Sequence, residues 1–196
     1  MEERGQSALE ARNEAFRRLG RNLYLFQLIE HQLKHLVVHT AMDGHIAELP
    51  KTLATKSKRA RKSSMGTLAD QFTSAVFSGE ENGRVHPTDP NMPWFSFAFR
   101  IESDEQFVQQ RKKEMRRLVR ERNKLIHTSA ADIRPDDTDK WIGLGVFLDE
   151  QRAELEAEHE KLRLLIKDLA EMTKHSAQVI ESELLNVERK SPGSGN

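Results

Sequence analysis

The stretch from Asp149 to Glu188 contains neither proline nor glycine, and nothing else in the chain constrains its fold as much. A breaker-free run of this length, with Leu155, Leu162, Ile166, Leu169, Ile180, Leu184 and Val187 roughly on one side, reads as one amphipathic helix. At about 1.5 Å per residue it would reach about 60 Å. That exceeds the width of a small domain, so its far end is expected to project or to pack on another subunit. Its apolar side still needs partners from the rest of the chain.

Those partners also read as helices. Ser7, with Glu10 three residues on, resembles a capping box. From there Phe16, Leu19, Leu23, Phe26, Leu33 and Val37 recur at helical spacing to about Ala41, and the helix should end near Asp43-Gly44. Glu30 falls in the middle of this stripe, where a carboxylate must be paired, protonated or facing a cavity. A second helix should begin at Ser63 or Ser64, turn Met65, Leu68, Phe72 and Val76 inward, and stop at Ser78-Gly79. A third is signalled by Ser103 and Gln106 and should run to about His127. Its expected stripe is Phe107, Met115, Leu118, Val119, Leu125 and Ile126.

The connecting segments are less regular. Lys51 to Lys62 crowds Lys56, Lys58, Arg59, Arg61 and Lys62 together. It reads as a loop or a frayed helix start, serving as a solubilising linker or a nucleic-acid contact. Glu80 to Pro93 holds three prolines and should be a long loop. Trp94 to Ile101 alternates large apolar residues with smaller or polar ones, the period of a short strand or an extended anchor. Ala130 to Lys140 is acidic, contains Pro135 and should be loop. Trp141 to Leu148 is apolar with two glycines and is compatible with a strand or the start of a helix. The tail 191–196 should be disordered. The expectation is an all-α bundle with long first and last helices, forming one domain over 1–190.

Composition agrees. Hydrophobic residues make up 37% and charged residues 32%, as suits helices that each need one apolar stripe. Lys+Arg and Asp+Glu both number 31, so net charge points to no partner. Distribution says more. Arg111 to Lys124 carries eight basic and two acidic residues, whereas Asp149 to Lys190 carries eleven acidic and seven basic. A basic strip can hold a phosphate backbone, or it can be a solvated helix face. The absence of cysteine excludes disulfides and thiolate metal sites. The charged N-terminus lacks the apolar core of a signal peptide, and no apolar run approaches the ~18 residues of a membrane span. A cytoplasmic protein without a membrane partner is therefore expected.

One segment carries candidate chemistry: Arg122-Asn123-Lys124-Leu125-Ile126-His127. An Arg and a His five positions apart arise readily by chance, so context has to carry the inference. Arg122 lies on the apolar stripe among Leu118, Val119, Leu125 and Ile126, where a guanidinium needs a partner. Asn123 and His127 are four residues apart and share one flank of the helix. The helix is also the basic one, with Arg116, Arg117, Arg120 and Lys124 as candidate RNA contacts.

This segment resembles the R-x4-6-H motif of the HEPN (higher eukaryotes and prokaryotes nucleotide-binding) family, in its Arg-polar-x3-His form. Leu23 to Lys34 resembles the family's long first helix with an acidic residue inside the apolar face. Ser64 to Phe72 resembles its second helix, and Phe147 to Gln151 the start of a helix after the motif. The similarity spans about two thirds of the chain, whereas the long loop and long final helix depart from a minimal domain. The resemblance implies a helical HEPN-like domain that dimerises and builds one RNA-cleaving site from two copies of the motif. It implies a metal-independent endoribonuclease without a cofactor, of the toxin or antiviral-defence kind, with an antitoxin or regulatory protein as a possible partner. His127 would act as acid or base, Arg122 would stabilise the phosphorane charge, and Asn123 would orient His127 or a phosphate oxygen. Glu30 would hold Arg122 ready. The alternative is a non-catalytic RNA-binding or protein-interaction module.

Other constellations are weaker. His31, His35 and His39 repeat every four residues and can ladder along one helix face. Such a ladder can bind a metal, but carboxylates nearby are sparse, so a solvated or dimer-facing stripe is expected. Asp136, Asp137 and Asp139 lack the glycine and distal Glu of an EF-hand loop. There is no Walker A, GxGxxG or GxSxG motif.

Overall fold

The computed structural model describes residues 2–77, 94–127 and 130–190. The loop expected at 80–93 and the tail 191–196 therefore lie outside the described residues. Five α-helices are found among those described: α1 (Glu2–His39), α2 (Leu49–Lys62), α3 (Met65–Phe77), α4 (Glu105–His127) and α5 (Thr138–Lys190). Two short strands, β1 (Ala41–His45) and β2 (Trp94–Ala98), pair antiparallel with Ala41 opposite Ala98 and His45 opposite Trp94. The architecture is all-α with this small ribbon attached.

α1 and α5 form the axis of the molecule. α5 has 53 residues, a length of about 80 Å. Its buried residues Leu148, Gln151, Leu155, Glu158 and Leu162 alternate at three- and four-residue steps, and Leu169 follows one heptad on. Asn22, Phe26, Ile29, Leu33 and Leu36 do the same on α1. This is the seam spacing of two helices packed side by side. Contacts advance together along both chains: Phe16 on Trp141, Asn22 on Leu148, Gln32 on His159. The two helices therefore run parallel. α4 runs antiparallel to α5, since Arg111 meets Glu158 and Arg117 meets Glu154. α3 lies antiparallel to α4, with Phe77 against Phe107 and Arg116 against Asp70. It buries Met65, Leu68, Phe72 and Val76, the inner face expected for it.

Local chemistry explains the helix ends. Ser64 Oγ accepts from the Thr67 N–H at 3.2 Å and caps α3. Asp104, not Ser103, caps α4: its carboxylate accepts from the Phe107 N–H at 2.7 Å, while Ser103 Oγ donates to the Ile101 carbonyl. Asp137 accepts from the Lys140 N–H at 3.1 Å at the start of α5. Helix rather than strand follows for 141–148, anchored by buried Trp141, whose indole N–H donates to the Arg134 carbonyl at 3.0 Å. Ser7 does not start α1, which already includes Glu2.

Two expectations need correction. Lys51 to Lys62 is neither a loop nor frayed; it belongs to α2. Pro50 sits in the first turn, where its missing N–H costs nothing. Lys, Arg and Ala are good helix formers, and buried Ala60 with partly buried Leu53 suffices to dock the helix on the core. Residues 41–45, expected as the end of the first helix, form β1. Gly44, at φ +150°, adopts a conformation that L side chains rarely reach. Backbone pairing with β2 then takes over, and Ser96 Oγ donates to Asp43 Oδ1 at 2.6 Å across the ribbon.

Candidate functional site

The buried face of α4 consists of Val108, Arg111, Met115, Leu118 and Leu125. Phe107 and Ile126, expected on this stripe, are exposed. The face is rotated from that expectation, although Phe107 still meets the Phe77 ring of α3. Arg122 continues the three- and four-residue steps of the buried set, yet its side chain is 35% accessible. α1 contributes Glu30 to it: Oε2 is 3.7 Å from Arg122 Nη2. The other oxygen of Glu30 accepts from Lys34 Nζ at 2.7 Å. Lys34 is therefore the tighter partner, and Arg122 is held at arm's length. Glu30 lies at the edge of the α1 seam, not in its middle, and is paired.

Asn123 and His127 are both exposed. The Asn123 side-chain carbonyl accepts from Arg122 Nη1 at 3.3 Å. His127 is the last residue of α4 and makes no side-chain hydrogen bond among the described residues. The structure thus joins Glu30, Lys34, Arg122 and Asn123 in one polar chain, with His127 one turn beyond. Among the basic neighbours, Arg117 pairs with Glu121 at 3.1 Å and Glu154 at 2.7 Å, and Arg116 pairs with Asp70 at 3.3 Å. Arg120 and Lys124 are exposed.

Residue-level sequence reasoning missed the guanidinium most deeply inside the protein. Arg111 Nη1 donates to Glu158 Oε2 at 2.8 Å, and Nη2 meets the other oxygen of Glu158, forming a bidentate pair buried between α4 and α5. Burial works against the Arg111 charge, but the bonds to Glu158 and then Glu114 outweigh it and hold the guanidinium protonated. With both terminal nitrogens committed and the side chain only 7% accessible, Arg111 has little to offer a phosphate. The signal was present: Arg111 shares the step pattern of Val108, Met115 and Leu118.

The α1–α5 seam holds further polar residues that the sequence did not mark out. Asn22 Nδ2 donates to the Leu148 carbonyl at 2.7 Å and to Gln151 Oε1 at 3.1 Å. Gln32 meets His159 Nδ1 at 2.9 Å. Such pairs match only in one axial position and so specify register. Arg18 also lies here, 2.9 Å from Asp149. A Cβ on Gly145 would sit 2.8 Å from Arg18 Nη1, the movable end of a flexible side chain.

No cluster of three or more His, Cys, Asp or Glu residues suited to a metal ion occurs among the described residues. No described helix is long and apolar enough to cross a membrane. No protein-family model matches this chain, no curated protein matches it, and no solved structure matches it.

Proposed function

We propose that the protein is a metal-independent endoribonuclease of HEPN-like type, with Arg122, Asn123 and His127 as one half of a site that a second copy completes. One observation carries the reading. Arg122 occupies a core-stripe position yet is solvent-accessible, loosely paired with Glu30 and followed by an exposed His one turn on. A guanidinium with free donors beside an imidazole suits a phosphodiester: the planar fork binds the phosphate oxygens and favours the charge that grows on them.

Cleavage by the RNA's own 2′-hydroxyl needs two proton transfers. One imidazole takes the 2′-OH proton as O2′ attacks phosphorus. The P–O5′ bond breaks, and a second imidazole, protonated, returns a proton to O5′. The products are a 2′,3′-cyclic phosphate and a 5′-hydroxyl. The motif supplies one imidazole per chain, so a two-fold dimer with two His127 rings meets the requirement. The purified protein should cleave RNA in EDTA. Arg122→Ala and His127→Ala should each abolish cleavage with the helical circular dichroism unchanged; cleavage that persists in both variants refutes the assignment.

A second reading has its own support. His127 has no described partner to fix its tautomer, as a general base commonly has. A non-catalytic RNA-binding module would use the same cations without needing one. RNA affinity with a steep salt dependence and no cleavage would select it.

A further inference from the structure

The histidine ladder of α1 does not stand alone in the fold. His31, Lys34, His35 and His39 line one wall of a cleft of about 350 Å³ whose other wall is α2, with Ser57 and Arg61. A second cleft, about 410 Å³, opens on the other side of His35 and His39 against Thr173 and Lys174 of α5. The two clefts share both imidazoles, so they adjoin as a furrow bordered by three helices. None of the described residues lining either cleft is acidic. Glu30 links the first cleft to the candidate site, because it bridges Lys34 on the cleft wall to Arg122.

We propose that this furrow is a binding track for the phosphodiester backbone of single-stranded RNA, feeding the Arg122–His127 site and tightening its hold as pH falls. The choice of RNA as occupant rests on the ribonuclease reading. The physical case is the spacing and the charge. His31, His35 and His39 rise about 6 Å per step along α1, a ladder suited to successive phosphates of an extended strand. A furrow that combines cations with flat rings holds single strands through charge and stacking.

The groups facing the imidazoles account for the pH dependence. Lys34 of α1, Arg61 of α2 and Lys174 of α5 line the clefts with them, Lys56 lies beside His39, and Glu30 pairs with Lys34. Desolvation, then His39 and His31, hold His35 below its usual pKa; desolvation, then Lys56, do the same for His39. A bound phosphate reverses this balance by offering the missing negative charge. Binding therefore takes up protons, and affinity rises with acidity.

A 2′-O-methyl oligouridylate tests the track, since its blocked 2′-oxygen cannot attack and binding is read without cleavage. The wild-type protein should bind it more tightly at about pH 6 than at about pH 8. Exposed Arg61→Gln should reduce the slope of log affinity against log salt by about one. His35→Gln/His39→Gln should flatten the pH dependence. No binding at either pH, or an Arg61→Gln slope equal to wild type, overturns the track. The two readings fail separately. Cleavage that depends on Arg122 and His127 but ignores Arg61 removes the track and keeps the nuclease. Binding that depends on Arg61, by a protein that leaves unmodified RNA intact, keeps the track and removes the nuclease.

Discussion

Arg111 and Arg122 stand eleven residues apart on α4, which returns them to within about 20° on the helix wheel. They share a face and a chemistry, and they have opposite fates. Arg111 is enclosed by α5 and locked to Glu158 in a bidentate pair. Arg122 lies beyond that cover, 3.7 Å from a Glu30 already engaged by Lys34. What separates them is which carboxylate the neighbouring helix brings opposite, and whether water can still reach the guanidinium. A buried, fully matched arginine specifies how helices dock. An exposed, half-matched one is available to a ligand.

The largest expected effects break the comparison at Arg111. Arg111→Met leaves the Glu158 carboxylate buried without its partner and should cost about 3–5 kcal/mol, read by urea denaturation, whereas Glu158→Leu, which leaves Arg111 with Glu114, should cost less. The double variant Arg111→Met/Glu158→Leu should recover parental stability or exceed it, because no charge remains to be desolvated. Failure of the double to recover would mean that the pair contributes more than charge matching. At Arg122 the effect should move from stability to activity. Arg122→Ala should change unfolding free energy by less than about 1 kcal/mol while lowering RNA cleavage by at least about 100-fold. A stability loss as large as that of Arg111→Met would make the two arginines equivalent.

Smaller effects sharpen the contrast. Glu30→Gln frees both Lys34 and Arg122, so it should raise RNA affinity with a stability change under about 0.5 kcal/mol. The ladder histidines give a pH dependence with a definite sign. Their folded pKa values are depressed, so the unfolded chain binds more protons at mildly acidic pH. Their contribution to stability is present above the ordinary imidazole pKa of about 6.5 and is lost as pH falls through the lower folded values. Thermal denaturation between about pH 8 and about pH 5 should show a loss on acidification that His35→Gln/His39→Gln reduces.

Legibility differed by element for physical reasons. α3 could be read because Met65, Leu68, Phe72 and Val76 repeat at helical spacing behind a serine cap. The limits of α4 were legible to within two residues. Its buried face was not, because Phe107 and Val108 are sequence neighbours and only the packing of the other helices decides which is covered. α2 was obscured by its charge, since a helix that buries little more than Ala60 shows almost no apolar period. β1 carries no strand pattern in Ala41-Met-Asp-Gly-His; its conformation comes from β2, which lies about fifty residues on in sequence. In the candidate site, Arg122, Asn123 and His127 were named from the motif together with its apolar and basic surroundings, since the spacing alone arises by chance. The Glu158 that sequesters Arg111 could not be named, because it is a partner across a helix interface; the Lys34 that competes for Glu30 stands one turn on in the same helix, a local i,i+4 pair that was legible and overlooked.

By itself the sequence determined that the chain is helical, where α3 and α4 begin and end, and that α5 is long, because spacing, caps and breakers act within a few residues. Tertiary structure decided which of two equivalent arginines is buried. It also turned a bare histidine ladder into one wall of a basic furrow and placed Glu30 between that furrow and Arg122. These outcomes depend on desolvation and on charges brought together from distant parts of the chain, and no local pattern encodes either.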